Sequence, residues 1–197
     1  MTDQVIDHDT FKRFQAGEPD AVDAIVRAYQ HRLVGYLRLW TRRLDLAEEI
    51  AQDVFVMAWE QRHQVYSPDK LRPWLFVLAR RRAMREMQKR HHAMELSLDE
   101  PDGAGGRAPA VEPAVPARQG EALLSGEFRA HLEQALRTLS PKDQDLIALR
   151  YFGGLSIKEL ADALGLPMGS VGVKLGRALE RLRAWFEARG LGLSDYL

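Results

Sequence analysis

The 197-residue chain predicts an all-α fold of two small helical domains joined by a flexible linker. Three observations carry that expectation. Apolar residues recur every three or four positions through most of the chain, capping residues stand where those runs begin, and one central stretch rich in Pro, Gly and Ala interrupts the pattern. The length suits one ordinary domain or two small ones, and 46% hydrophobic residues suffice for compact cores. The interruption favours two. The boundaries read as 8–95 for the first domain, 96–120 for the linker and 121–190 for the second.

Residues 10–16 read as a short helix that Gly17 ends. Pro19-Asp20 then opens a longer helix in which Ile25, Tyr29, Leu33, Tyr36, Leu37 and Trp40 supply core material. An acidic helix follows, DLAEEIAQDVFVMAWEQR, with Leu46, Ile50, Val54, Met57 and Ala58 inward and Glu48, Glu49, Gln52, Asp53 and Glu60 outward. Taken alone, that outward face reads as ordinary solvated surface. The loop over 62–70 contains a turn at Ser67-Pro68-Asp69, and Pro73 is expected near the start of the next helix, PWLFVLARRRAMREMQKR. Its first half is apolar, through Trp74, Leu75, Leu78 and Ala79. Its second half spaces Arg81, Arg85 and Lys89 four apart, which stacks three cations on one face. Like charges so placed repel by about 0.2–0.5 kcal/mol per pair unless an anion lies between them, so a polyanion is the better explanation.

The stretch SLDEPDGAGGRAPAVEPAVPARQG cannot bury enough apolar surface to fold alone and reads as the linker. Behind it, a helix carrying Leu123, Leu124, Phe128, Leu132, Leu136 and Leu139 begins the second domain. Ser140 is the expected N-cap of the following helix, Pro141 its first residue and Asp143 a favourable charge at its positive end. Gly153-Gly154 stops it. Ser156 and Glu159 form a capping box for a short helix with Leu160, Ala161 and Leu164 on its apolar side; Gly165 ends it, and Leu166-Pro167 turns into a third helix near Met168. Two helices across a tight turn make a helix-turn-helix, whose second member enters the DNA major groove. Here Val171, Leu175, Ala178 or Leu179, Leu182 and Phe186 form the buried stripe, while Ser170, Lys174, Arg177 and Arg181 share another face.

Formal net charge is zero, yet its distribution is uneven. Asp45, Glu48, Glu49, Asp53 and Glu60 crowd one segment, and Arg72, Arg80, Arg81, Arg82, Arg85, Lys89 and Arg90 crowd the next. Adjacent patches of opposite sign point to two different partners, one of them polyanionic. An enzyme finds little support: no H-E-x-x-H, G-x-S-x-G or G-x-x-x-x-G-K-[ST] pattern occurs, and neither a cofactor nor a metal is expected. With no cysteine, disulfides and thiolate chemistry are unavailable. No leader-like opening and no apolar run near the roughly 20 residues of a membrane span are seen, so a cytoplasmic protein without membrane insertion is expected.

Residues 139–183, through LSPKDQDLIALRYFGGLS, ELADALGLPMGSV and RALERLR, resemble region 4 of bacterial sigma factors of the extracytoplasmic-function type. LuxR-type regulators share a similar helix-turn-helix, so the other half must discriminate. DLAEEIAQDVFVMAWE resembles the D-x-E-D-[IL]-x-Q-[DE]-x-F word of sigma region 2, and LRPWLFVLARRRAMREMQKR resembles W-L-x-x-I-A-R-N-x-x-x-[DR], with Arg82 where asparagine is common. The resemblance implies a promoter-specificity subunit of RNA polymerase; the alternative is a free-standing helix-turn-helix regulator. On the first account Asp45, Glu49, Gln52 and Asp53 meet the beta-prime clamp helices of the core enzyme, and region 4 meets the beta flap. Gln64, Tyr66 and Ser67 meet exposed bases of the -10 element, Arg80, Arg81, Arg85 and Lys89 hold neighbouring phosphates, and Ser170, Lys174, Arg177 and Arg181 serve the -35 element. Tyr66 is equally readable as a packed loop aromatic. An anti-sigma factor is a further expectation from the family. One departure stands out: Gly172 and Val173 replace the usual basic residue and serine of the recognition helix, and Gly176 replaces a commonly bulky side chain.

Overall fold

A computed structural model describes residues 6–98 and 122–191, with side chains described for 6–92 and 130–191. The described residues are helical apart from turns, and they divide into two compact units, α1–α4 and α5–α8. Most of the predicted linker lies outside the described residues, as do the side chains of Leu123, Leu124 and Phe128.

In the first unit, α1 (His8–Ala16) begins at Asp7, whose carboxylate accepts a 2.8 Å hydrogen bond from the Thr10 amide. It ends at Gly17, where φ is 88°, a conformation glycine adopts without a side-chain clash. Phe11 and Phe14 are buried. α2 (Pro19–Thr41) buries Ala21, Ile25, Tyr29, Leu33, Tyr36 and Leu37, the predicted stripe except that Trp40 is only half-buried. α3 (Leu44–Glu60) buries Leu46, Ala47, Ile50, Ala51, Val54 and Ala58, and Met57 stays at the margin. The small Ala47 and Ala51 widen the buried stripe and allow close helix approach.

A short 3₁₀ turn, Arg62–Gln64, leads to α4 (Pro68–Leu98). The helix therefore starts five residues before Pro73. Pro68 takes the first helical position, where a missing N–H is harmless, and Pro73, buried one turn later, forfeits only the bond to the Asp69 carbonyl near the exposed helix start. Leu71, Leu75, Phe76, Leu78, Ala79 and Ala83 close the core, with the Phe76 ring 5.5 Å from that of Tyr36.

The second unit comprises α5 (Ala122–Arg137), α6 (Pro141–Tyr151), α7 (Ile157–Leu164) and α8 (Met168–Glu187). Ser140 Oγ accepts from the Asp143 amide at 3.2 Å and donates to its carboxylate at 2.8 Å. Ser156 and Glu159 form the expected capping box, and Gly165 (φ 63°) closes α7. Leu136, Leu139, Leu146, Leu149, Leu155 and Leu160 pack with Val171, Leu175, Ala178, Leu182 and Phe186 of α8. Ala178, not Leu179, holds the buried position.

Candidate nucleic-acid and protein interfaces

The outward face of α3 is built by its own buried stripe. Because the apolar and alanine positions occupy one side, Asp45, Glu48, Glu49, Gln52 and Val56 fall together on the other. Glu48, Glu49 and Gln52 are exposed and have no ion pair or side-chain hydrogen bond among the described residues. Asp45 differs: the Arg43 guanidinium binds it, with Nε donating to Oδ1 at 3.1 Å, and this hydrogen bond together with the Leu46 amide holds its carboxyl below the usual range. Asp53 differs more. Arg82 of α4 donates to its Oδ2 from Nε at 2.9 Å and lies 2.8 Å away through Nη2, while Nη1 reaches Glu86 at 3.0 Å. Glu86 also accepts from Arg90 at 2.9 Å, so a chain of four alternating charges ties α3 to α4. Val56, 58% exposed one turn beyond Gln52, adds an apolar side chain to the acidic face. In the sequence it is hidden inside the unbroken apolar run from Val54 to Trp59.

The loop before α4 presents its side chains in opposite directions. Val65 is buried and extended (φ -97°, ψ 130°), and Tyr66 next to it is 87% exposed. Successive residues of extended backbone point to opposite sides, which is why burying one displays the other. Tyr66 is therefore not packed in the loop. Gln64 is exposed beside it, and Ser67 is half-buried at the start of α4. Farther along α4, Arg81, Arg85 and Lys89 are exposed on one stripe without ion pairs among the described residues, whereas Arg80 is half-buried and already has an interaction.

In the second unit, Lys174, Arg177 and Arg181 are exposed along one face of α8, with Ser170 half-buried at its start. Arg181 pairs with Asp143 of α6 at 3.3 Å, leaving Lys174 and Arg177 as cations without ion pairs among the described residues. Gly169, Gly172 and Gly176 line an adjacent strip, and a Cβ added at any of them would meet nothing within 4 Å. Met168 (60%) and Val173 (54%) are the large apolar side chains exposed on this helix.

Both units match known families in one order. Residues 25–92 match sigma-70 region 2 and residues 129–182 match sigma-70 region 4. The RNA polymerase sigma-H factor of Pseudomonas aeruginosa is 24% identical over 185 residues, covering 92% of this chain and 94% of that protein. The ECF RNA polymerase sigma factor RpoE of Cereibacter sphaeroides is 29% identical over 166 residues, covering 81% and 84% respectively. Among solved structures, the fold is similar to that of the sigma factor RpoE in complex with the anti-sigma factor NepR from Bartonella quintana, with a TM-score of 0.64, 22% identity and coverage of 84% of this chain and 96% of that one. It is also similar to CnrH in complex with the cytosolic domain of CnrY, with a TM-score of 0.58, 22% identity and coverage of 91% and 96%. The chain belongs to the sigma-70 family of RNA polymerase sigma factors, in its extracytoplasmic-function branch. The region 2 match decides against a free-standing regulator, which would need only the helix-turn-helix.

Proposed function

We propose that the protein directs promoter recognition as a dissociable subunit of RNA polymerase, with its first unit on the core enzyme and the -10 element and its second on the -35 element. The observation that carries this reading is the occurrence of regions 2 and 4, in that order, in one chain. The protein performs no bond chemistry in this role. It works in the cytoplasm, where the polymerase is.

The face of α3 would dock on the beta-prime clamp helices through Asp45, Glu49, Gln52 and Asp53. Glu49 and Gln52 lead this contact, because they can meet a basic surface without first breaking an intramolecular pair, while Asp45 and Asp53 must share their charge with Arg43 and Arg82. Val56 would supply the apolar contact beside them. Region 4 would rest on the beta flap. Tyr66, with Gln64 and Ser67, would receive bases exposed from the melted -10 element, where stacking contributes about 1–3 kcal/mol per base. Arg80, Arg81, Arg85 and Lys89 would hold the adjoining phosphates, and Ser170, Lys174, Arg177 and Arg181 would contact the -35 duplex. The similar fold co-crystallised with the anti-sigma factor NepR supports a protein antagonist of the anti-sigma kind for this chain as well.

Run-off transcription with purified core polymerase tests the role. Added protein should produce specific transcripts from a subset of templates, and Glu49→Lys should lose core association in a pull-down while keeping its helical circular dichroism. Undiminished pull-down by a folded Glu49→Lys would refute docking through this face.

A further inference from the structure

Helix α1 lies ahead of residue 25, where the region 2 match begins, yet its C-terminal end is bonded directly to the loop that displays Tyr66. Gln15 Nε2 donates to the Val65 carbonyl at 2.7 Å, in a partly buried position 50 residues away in sequence. Only the amide nitrogen of that side chain can serve a carbonyl, so the orientation of the amide is settled by its partner. The bond is returned: Arg62 Nε donates to the Gln15 carbonyl at 3.3 Å, and Arg62 Nη1 donates to the Trp59 carbonyl at 2.9 Å. The Arg62 guanidinium also lies over the Trp59 ring at 4.4 Å. A Cβ at Gly17 would stand 3.3 Å from Trp59 and 3.4 Å from Arg62, so the end of α1 is packed tightly against this corner.

These contacts hold the loop immediately before its exposed residue. Val65 is fixed twice, by burial of its side chain (2% exposed) and by the Gln15 amide on its carbonyl, and its extended backbone then sends Tyr66 outward. A loop free at Val65 would leave Tyr66 to sample many orientations, and each base captured would first have to order it, a cost that preorganisation removes. From this geometry we infer that α1 is the clamp of the base-reading loop, with Gln15 and Arg62 as positioning residues that set how well Tyr66 captures an exposed base. The inference rests on the reading of Tyr66 as a base-contacting residue.

The full chain with core polymerase tests it, on the template best transcribed by the wild type from a pool with randomised upstream sequence. Four variants are compared: Gln15→Glu, which keeps the size of the side chain but offers no donor to the Val65 carbonyl, Gln15→Lys, which restores a donor, Tyr66→Ala, and the Gln15→Glu/Tyr66→Ala double variant. Gln15→Glu should lower initiation from duplex template about fivefold or more and flatten the base preference at one position of the -10 element, with core affinity unchanged. Gln15→Lys should recover to within about twofold of wild type, and the double variant should be no worse than Tyr66→Ala alone. Normal initiation and base preference in Gln15→Glu, or a double variant whose losses multiply, would overturn the clamp while leaving base capture standing. If Tyr66→Ala itself costs nothing, base capture by this loop is refuted, and the clamp with it. Should Gln15→Glu fail to fold, Arg62→Gln takes its place with the same expectations, since it removes the guanidinium from Trp59 and from the Gln15 carbonyl at a corner that is only partly buried.

Discussion

Arg82 shows how one residue changes the meaning of another. Asp53 reads in the sequence as a free acid on a docking face, but Arg82 occupies two of its hydrogen-bonding directions and passes the charge on to Glu86. Asp53→Lys would set a second cation against Arg82, so loss of polymerase binding in that variant would mix docking with local repulsion; Glu49→Lys carries no such ambiguity. Asp53→Asn should cost about 0.5–1 kcal/mol in urea unfolding, the range for a partly exposed ion pair of good geometry. Glu86, only 14% exposed at its side chain, is held below its ordinary pKa by its hydrogen bond to Arg82, with Arg90 as a second donor. A depressed carboxylate contributes stability above its unfolded pKa, about 4.3 for glutamate, and loses it as pH falls through the lower folded value. The urea midpoint should therefore drop below about pH 4.3, and Glu86→Gln should remove that part of the pH dependence. Arg42 is the one non-glycine residue at positive φ among the described residues, at 54° between α2 and α3, exposed and with no side-chain bond among them. Arg42→Gly should raise stability by about 0.5 kcal/mol, since relief of the left-handed strain exceeds the added unfolded-state entropy.

At the scale of the element, α8 shows a helix weakened without compensation from packing. Gly172 and Gly176 each cost roughly 1 kcal/mol relative to alanine, and the space around both is open. Gly172→Ala should thus stabilise the second unit by about 1 kcal/mol, measured by thermal or urea unfolding. With Arg181 paired to Asp143, Lys174 and Arg177 are the cations of the proposed groove-facing stripe without ion pairs among the described residues, and the glycines add no side chain beside them, so the -35 contact is expected to be a weak anchor. On that hypothesis Gly172→Lys should strengthen binding of the holoenzyme to -35 duplex and steepen the log-log salt slope by about 0.9, one phosphate's worth of released counterion. Loss of binding with the helix still folded would mean instead that the backbone at Gly172 approaches DNA closely, and the weak-anchor account would be dropped.

For the molecule as a whole, the zero net charge and its division into acidic and basic faces argue for joint action with polymerase. The isolated chain should bind promoter duplex no better than non-specifically, with a dissociation constant weaker than about 10⁻⁶ M at physiological salt, and the complex with core enzyme should protect both promoter elements. Binding at about 10⁻⁸ M or tighter by the protein alone would contradict this division of labour.

Local chemistry was enough to read the helices, their caps and the helix-turn-helix from the sequence, because helix periodicity and capping depend on residues within a turn or two of one another. The pairing of Ser156 with Glu159, the stop at Gly165 and the stripe from Val171 to Phe186 are all of this kind. The start of α4 was misplaced because Pro73 looks like a first residue, when Pro68 already occupies that place and burial of Leu71 carries the helix through. What only the tertiary structure decided depends on groups far apart in the chain: Asp53 held by Arg82, Arg181 by Asp143, and Val65 by Gln15. Nothing in the local sequence marks these residues as partners, since a polar side chain on a helix face has the same spacing whether it meets water or another helix. Charge and periodicity alone therefore name the faces of this protein, and the contacts between elements within each unit determine which side chains on each face are left without an intramolecular partner.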